Sequence, residues 1–515
     1  MAPSTSNMPP KQPAHNPKDT EAEERKRLLA DRDGYDSDDF DQPESKQERW
    51  SSRKIAITAS ALIGLLITGT FARTMLFGTP GRRHDSDDPT VLYSNGTEGF
   101  KRTVVIVSID GLRADYLDRG LTPHLLALSK KGLRAKSMKP VFPTLTFPNH
   151  WALMTGLHAE SHGIVANNFW DPASKEEFHY NRVSSAWNPA WWLGEPMWET
   201  AEKAGLLTAN LMWPGPPKTL TGASPAYFVP WKDKVPLREK LDQILYWIDL
   251  PLETRPQLIM AYEPSLDQAG HATGPYSKQV NETLVVVDRF AKDLHDSLEA
   301  RNLTDIVDIV FVSDHGMTDT SHPEPVYIDD ILGADGLKAI EHEDGWPSMG
   351  LRFHSNANAS KFLHALVEAS EANPEKFEVY TRQTMPERYH FSKHERIAPI
   401  YVVPKIGYIL TTRAEGDVGM SKGNHGYDND EVSMQAMFVA HGPFSVKAKA
   451  QYQRRSQDSR LVARTKKGWH STSHDTYIMQ PFRNVEIYNL VMKLLGISDK
   501  AAPTNGTIGY WDQYL

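Results

Sequence analysis

Seven residues in this chain are candidates to bind metal ions or to act as a nucleophile, and most stand where a hydrophobic run breaks off. "TVVIVSIDG" brings Asp110 to the end of a strand-like run, "DIVFVSDHGM" brings Asp314 and His315, and "QLIMAYEPSLDQAGH" leads into a loop holding Asp267 and His271. "GNHGYDN" (423–429) sets His425 among small turn formers. Taken singly, such acids read as helix caps or turn formers, and a lone histidine as a satisfied core or surface residue. Together they suit one site, because ligands in open α/β sheets bind beyond the carboxyl ends of the strands. Asp267 and His271 share a face if their segment is helical; Gly270 weakens that expectation, and a loop presents them equally well. The chain has no cysteine, so thiolate ligation, a thiol nucleophile and disulfides are excluded. An all-nitrogen-and-oxygen set suits zinc, with manganese or magnesium less favoured by so many imidazoles.

The stretch "FPTLTFPNHWALMTG" (142–156) supplies a nucleophile, Thr146, at the start of a helix that Pro148 opens. Free amides and the dipole at such an end favour negative charge, so an alkoxide or a phosphoryl oxygen is stabilised there. A threonine hydroxyl is a poor nucleophile near neutral pH until a base or a metal activates it. Nearby divalent cations would do this.

These residues need a scaffold, and from about Thr103 short β-branched runs alternate with helical stretches. That pattern predicts an α/β domain whose mainly parallel central sheet is flanked by helices. Residues 1–53 have the polar, aromatic-poor composition of a disordered cytosolic tail. Within it "ERKRLL" has the form of an acidic dileucine sorting signal, with Glu24, Leu28 and Leu29 as its key residues and a sorting adaptor as the partner it would take; solvated charge is the competing reading. Ile55 to Ala72 carry no charge, and residues 54–77 are read as a single transmembrane signal anchor. A cleaved signal peptide is disfavoured by the long polar segment ahead of it, and a buried core helix by the lack of a polar face. Residues 78–99 read as a stalk and 100–515 as the catalytic domain. Lysine and arginine flank the span almost evenly, so charge alone does not orient it. Asn95, Asn281, Asn302, Asn358 and Asn505 each begin an Asn-x-Ser/Thr triplet, and all follow the span. Their one-sidedness predicts a type II protein with a luminal or extracellular body, at the vacuolar, endosomal or plasma membrane. A net charge of −8 without a dense basic patch argues against binding a nucleic-acid duplex.

In order along the chain, "IDGLRADYL", "PVFPTLTFPNHWALMTGLHAESHGIVANNFWDP", "NPAWWLGEPMWETAEKAG", "MWPG", "YEPSLDQAGHATGP", "VSDHGM" and "GNHGYDN" resemble the nucleotide pyrophosphatase/phosphodiesterase family of the alkaline phosphatase superfamily. The dileucine-like tail and the absence of cysteine look most like its fungal single-pass membrane members. The resemblance implies an alkaline-phosphatase-like sandwich and two zinc ions. One would be held by Asp267, His271 and His425; the other by Asp110, Asp314 and His315, with Thr146 between them as nucleophile and metal ligand. It implies nucleoside triphosphates and other nucleotide diesters or pyrophosphates as substrates, cleaved to nucleoside monophosphates through a covalent threonine intermediate. Asn167 matches the family residue that binds a non-bridging phosphate oxygen, and Phe147, Trp213, Trp231 and Tyr262 match positions lining its base slot. The cluster "WNPAWWLGEPMW" is assigned to packing. Larger animal relatives carry appended modules, and nothing known of those modules is expected here.

Two rivals remain on the sequence alone. A lipid-headgroup enzyme would need an aromatic cage for a quaternary cation, which these aromatics could supply. A non-catalytic binding protein would keep the fold and lose ligands, yet every expected ligand and the threonine are present. A phosphomonoesterase would need arginine at the site, and the motifs around Thr146 hold none.

Overall fold

The runs that end in the candidate acids form the middle of one sheet. In the computed structural model, which describes residues 88–416, 421–445, 447–448 and 478–515, they are β1 (Thr103–Ile109), β5 (Leu258–Glu263) and β6 (Val307–Val312), each buried along its whole length. Around them lie β2 (Leu133–Ala135), β3 (Thr208–Leu211), β4 (Tyr227–Val229), β11 (Phe438–His441) and β12 (Ile478–Met479), in the order β12-β2-β11-β6-β1-β5-β3-β4. Five neighbouring pairs are parallel. The two pairs made by β11 are antiparallel, so the sheet is mixed rather than purely parallel.

Burial on both faces explains the unbroken β-branched runs, since side chains alternate across a strand and each face here meets helices. Val104 and Ile106 join a core with Trp151 and Leu153 of α2 (Thr146–Thr155) and with α7 (Ile487–Leu495). Val105, Val107 and Ile109 point the other way, into a core with α1 (Pro123–Lys131), α3 (Leu237–Ile248), α4 (Ser265–Thr273) and α5 (Lys278–Ala300). Pairing sets Ile109 beside Glu263 and Ser108 beside Val312, so β1, β5 and β6 end level with one another. That common edge is where the acids emerge.

A second, antiparallel sheet has the order β7-β8-β10-β9, from β7 (Ile340–Asp344), β8 (Met349–Phe353), β9 (Phe377–Thr381) and β10 (Ile400–Pro404). It packs with α6 (Ala359–Ala372) around its own small core, including Leu351, Phe362, Leu366 and Val402. Nothing in the hydrophobic pattern had announced this sheet.

The tail, the expected span, the sorting residues Glu24, Leu28 and Leu29, and residues 78–87 of the expected stalk lie outside the described residues. Among the described residues no helix is long and apolar enough to cross a membrane. The last residues of the expected stalk are not separate from the domain: Tyr93–Ser94 and Gly99–Phe100 pair as a hairpin, and Arg255 bonds Glu98 and the Gly99 carbonyl.

Candidate active site

Thr146 opens α2, with the extended Leu145 as its N-cap and Pro148 as the third helical residue rather than the first. Asn149 explains the abrupt entry. Its Oδ1 accepts from Val141 N–H at 2.7 Å, while its Nδ2 donates to the carbonyls of Leu145 and Pro143 at 2.9 and 3.1 Å. One buried side chain thus satisfies the backbone of the turn that presents Thr146.

The segment after β5 is helical and not a loop: α4 carries Asp267 and His271 on one face, Oδ2 to Nε2 3.4 Å. Gly270 is tolerated there because two backbones cross. A Cβ on Gly270 would lie 2.9 Å from Met317 Cε, and one on Gly423 would lie 2.4 Å from the Gly270 carbonyl oxygen. That crossing brings His425 to α4, where its Nε2 stands 3.1 Å from His271 Nε2 and 3.5 Å from Asp267 Oδ1.

His315 joins the two halves of the site. Its Nε2 is 2.9 Å from Asp314 Oδ2, 3.3 Å from Asp110 Oδ1 and 3.2 Å from Thr146 Oγ1. Its ring stacks on His425 with centroids 3.5 Å apart. Ligand atoms of Asp110, Asp314 and His315 lie within 4.8 Å of one another, as do those of Asp267, His315 and His425. His315 therefore sits within reach of both expected ligand sets, not only of the one with Asp110 and Asp314.

The protonation pattern fits a cation. Each of the three histidines donates Nδ1–H to a backbone carbonyl: His271 to Gly423, His315 to Gly316 and His425 to Thr144, at 2.8–2.9 Å. Their Nε2 lone pairs then face inward, the arrangement by which second partners fix ligating histidines. Asp110 Oδ1, Asp267 Oδ1 and Asp314 Oδ2 are buried without a hydrogen-bond donor. Acceptors converging on acceptors call for positive charge at their centre. The electrostatics agree. Burial, then the neighbouring Asp314 and Asp267, push Asp110 well above the usual carboxylate range. Burial also opposes a charge on His315, yet Asp314 and Asp267 outweigh it and hold the ring above its ordinary value. Burial and the two other rings keep His425 neutral.

Several supports had no distinct signal in the sequence. His150, one turn along α2, donates from Nδ1 to the Thr146 carbonyl at 2.9 Å, lies 3.3 Å from Asp314 Oδ2, and accepts from Ser108 Oγ at 2.9 Å. Ser313 accepts from Leu112 N–H and donates to the His315 carbonyl. Only the spacing of four residues from Thr146 pointed to His150.

The expected substrate residues divide. Asn167 is half-buried and its Oδ1 accepts from the N–H of Phe147, the residue after Thr146, at 3.0 Å. Phe147 is half-buried against Tyr180, Phe178 and Trp192. Tyr262 is not a free stacking platform: it is buried, and its hydroxyl donates to Asp110 Oδ2 at 2.5 Å. Trp213 is buried too, its ring edge-on to His150, and so behind the site rather than open to a base. Trp231 is 55% exposed. Its loop is tied to α4, because Gln268 Nε2, next to Asp267, donates to Asp233 Oδ1 at 3.3 Å. In the tryptophan cluster, Trp191, Trp192 and Trp198 are core residues as expected, but Trp187 is exposed. Among the sequons, Asn302, Asn358 and Asn505 are exposed and Asn95 and Asn281 half-buried.

Comparison with known proteins gives this geometry a context. The type I phosphodiesterase/nucleotide pyrophosphatase family matches residues 104–428. A Schizosaccharomyces pombe protein named an uncharacterized pyrophosphatase/phosphodiesterase is 36% identical over 471 residues, covering 89% of each chain. The Saccharomyces cerevisiae ectonucleotide pyrophosphatase/phosphodiesterase 1 is 32% identical, covering 84% of this chain and 61% of that one. Rat ectonucleotide pyrophosphatase/phosphodiesterase family member 3 is 33% identical over 81% of this chain, which spans only 44% of the rat protein. Among solved structures, an inactive threonine-to-alanine variant of murine ectonucleotide pyrophosphatase/phosphodiesterase 5 in complex with AMP superposes with a TM-score of 0.68 at 27% identity, over 80% of this chain and all of that one.

Proposed function

Because the chain belongs to the type I phosphodiesterase/nucleotide pyrophosphatase family, we propose that it is a two-zinc hydrolase of nucleotide diesters and pyrophosphates, with Thr146 as the nucleophile. The observation that carries this reading is the clustering of inward-facing imidazole lone pairs and donor-less carboxylate oxygens around His315, whose Nε2 lies 3.2 Å from the Thr146 hydroxyl at a helix N-terminus. Asp267, His271 and His425 would hold one zinc, and Asp110, Asp314 and His315 the other, with His315 close to both sets. Bound there, the ions would supply Lewis-acid charge and lower the pKa of a hydroxyl or water.

The chain's own residues do the rest. Thr146 loses its hydroxyl proton to solvent and its oxygen attacks phosphorus; the bond to the leaving phosphate or alcohol breaks, and that group departs with the electron pair, taking up a proton from solvent where its pKa requires one. Water then displaces the threonine oxygen, which regains a proton, and nucleoside monophosphate leaves. Asn167 Nδ2 and the helix N-terminus meet charge on the non-bridging oxygens as it grows. Phe147 and Trp231 are the aromatics left to contact the nucleoside; Tyr262 orients Asp110 instead, and Trp213 backs His150.

Residues 54–77 anchor this domain to a vacuolar, endosomal or plasma membrane on the luminal or extracellular side, supported by the one-sided sequons; protease protection of the domain in intact membranes tests that topology, and full digestion from the cytosolic side contradicts it. The enzymatic reading is tested by hydrolysis of a nitrophenyl nucleotide diester against nitrophenyl phosphate, with chelation, zinc add-back and Thr146→Ala. Strong preference for the diester, dependent on zinc and on Thr146, supports it. A folded, zinc-loaded protein that leaves the diester intact overturns it.

A further inference from the structure

Two pieces of this site lie outside the main sheet: the hairpin that follows Asn167 and the loop that carries His425. Both are tied to the same five residues, 344–348, the last residue of β7 and its link to β8 of the small sheet. On one side, Trp170 N–H donates to Asp344 Oδ1 at 2.7 Å and Gly345 N–H to the Asn168 carbonyl at 3.2 Å. These bonds grip the strand that begins one residue after Asn167. On the other side, Ser348 Oγ donates to the Gly426 carbonyl at 2.8 Å, directly after His425. Contact there is tight enough to exclude a side chain: a Cβ on Gly426 would lie 2.7 Å from Pro347 Cδ and 2.9 Å from Leu145 Cδ2.

Asp344 and Ser348 are both buried. Arg352 Nε fixes the second oxygen of Asp344 at 3.2 Å, and Arg352 Nη2 is itself anchored on the Arg396 carbonyl at 2.7 Å. Burial still drives the Asp344 carboxyl up to about 7, against the pull of Arg352 and Trp170 N–H. A carboxyl kept in place at that cost fits a part that needs an acceptor on each side.

We propose that the 344–348 turn is a brace through which the small sheet sets the positions of Asn167 and His425 on either side of Thr146, with Asp344 and Ser348 as positioning residues for phosphoryl transfer. This rests on the functional reading above. Neither residue is assigned a contact with substrate or metal; Asp344 acts through the Asn167 hairpin and Ser348 through the His425 loop. The small sheet, which supplies no expected ligand of its own, thereby gains a part in the chemistry.

The test is a double-mutant cycle on the zinc-loaded enzyme with a nitrophenyl nucleotide diester. Asp344→Ala should lower kcat about ten- to a hundredfold, as displaced supports of a site do, with a much smaller change in KM. Combined with Asn167→Ala, it should lower kcat no further than Asn167→Ala alone, because both changes remove one contact. Asp344→Asn, which keeps an acceptor for Trp170 N–H, should recover most of the rate. Ser348→Ala should weaken zinc binding about tenfold in competition with a chelator, since it loosens a ligand loop. An unchanged kcat in folded Asp344→Ala, or losses that multiply with Asn167→Ala, overturns the brace. Should Asp344→Ala not fold, Ser348→Ala decides: unchanged zinc affinity overturns the proposal. Failure of the wild-type enzyme to cleave the diester would instead sink the functional reading, whereas Thr146-dependent cleavage with indifferent brace variants sinks the brace alone.

Discussion

Tyr262→Phe deletes one oxygen and keeps an aromatic ring, so it separates two roles for this residue. In the structure the oxygen donates to Asp110 Oδ2 at 2.5 Å, while Asp110 Oδ1 faces His315 Nε2 at 3.3 Å. The hydroxyl thus fixes which carboxylate oxygen is left for a metal. A hydrogen bond to a charged group contributes about 1.5–3 kcal/mol. Loss of about 2 kcal/mol corresponds to roughly 30-fold in a binding constant. Zinc affinity at the half of the site that contains Asp110 should fall by about that factor, measured by competition with a chromophoric chelator. At saturating zinc the KM for a nitrophenyl nucleotide should stay within about threefold of wild type, because the ring remains. The opposite pattern, unchanged zinc affinity with a raised KM, would refute the reasoning and return Tyr262 to the base slot.

Three further outcomes are expected. Gly426→Ala places a side chain at φ +105° against Pro347 and Leu145; strain of about 1–3 kcal/mol should appear in denaturant unfolding, with a loss of activity as His425 shifts, and a neutral substitution contradicts the packing. Trp231→Ala should raise KM for the nucleotide diester several-fold and leave stability unchanged, because Trp231 is 55% exposed; an unaltered KM removes it from the substrate surface. His158 and His162 are held down to about 3, by burial first and then by the mutual disfavour of charge on adjoining rings, His390 beside His158 and His158 beside His162. Their unfolded values lie near 6.5, so the unfolded chain binds more protons below that pH. The stability they contribute is full above about pH 6.5 and is lost as pH falls toward about 3, at up to roughly 1.4 kcal/mol per pH unit for each ring. Asp344, raised to about 7, gives the opposite slope over part of this range, so denaturant midpoints between pH 4.5 and 7 are compared with those of His158→Asn and His162→Asn; profiles of equal slope contradict the claim.

The site was legible where local pattern and position coincide. β1, β5 and β6 are buried on both faces, so their apolar runs end sharply, and Asp110, Asp314 and His315 mark those ends. Other features depended on contacts between distant segments. Gly270 read as a helix breaker because its purpose, a close crossing with Gly423, lies 153 residues away in the chain. Tyr262 and Trp213 have the residue type of a base-stacking surface, and only burial shows that one turns its hydroxyl to Asp110 and the other backs His150. His150 was hidden for the same reason: a buried histidine in an apolar helix looks identical whether it holds Thr146 or merely fills space. The small sheet alternates weakly, with β7 and β9 only half-covered, and left no clear period to read.

The proposed chemistry turns on covalent capture of phosphorus by Thr146. Acid-quenching the zinc-loaded enzyme during turnover of a nucleotide diester, followed by mass spectrometry of the peptide containing residues 142–156, tests it most directly. The expected result is a nucleoside-monophosphate adduct on Thr146 that forms within the first turnover, decays when substrate is exhausted and is absent from Thr146→Ala. Full turnover with no adduct, and undiminished turnover by Thr146→Ala, would contradict it.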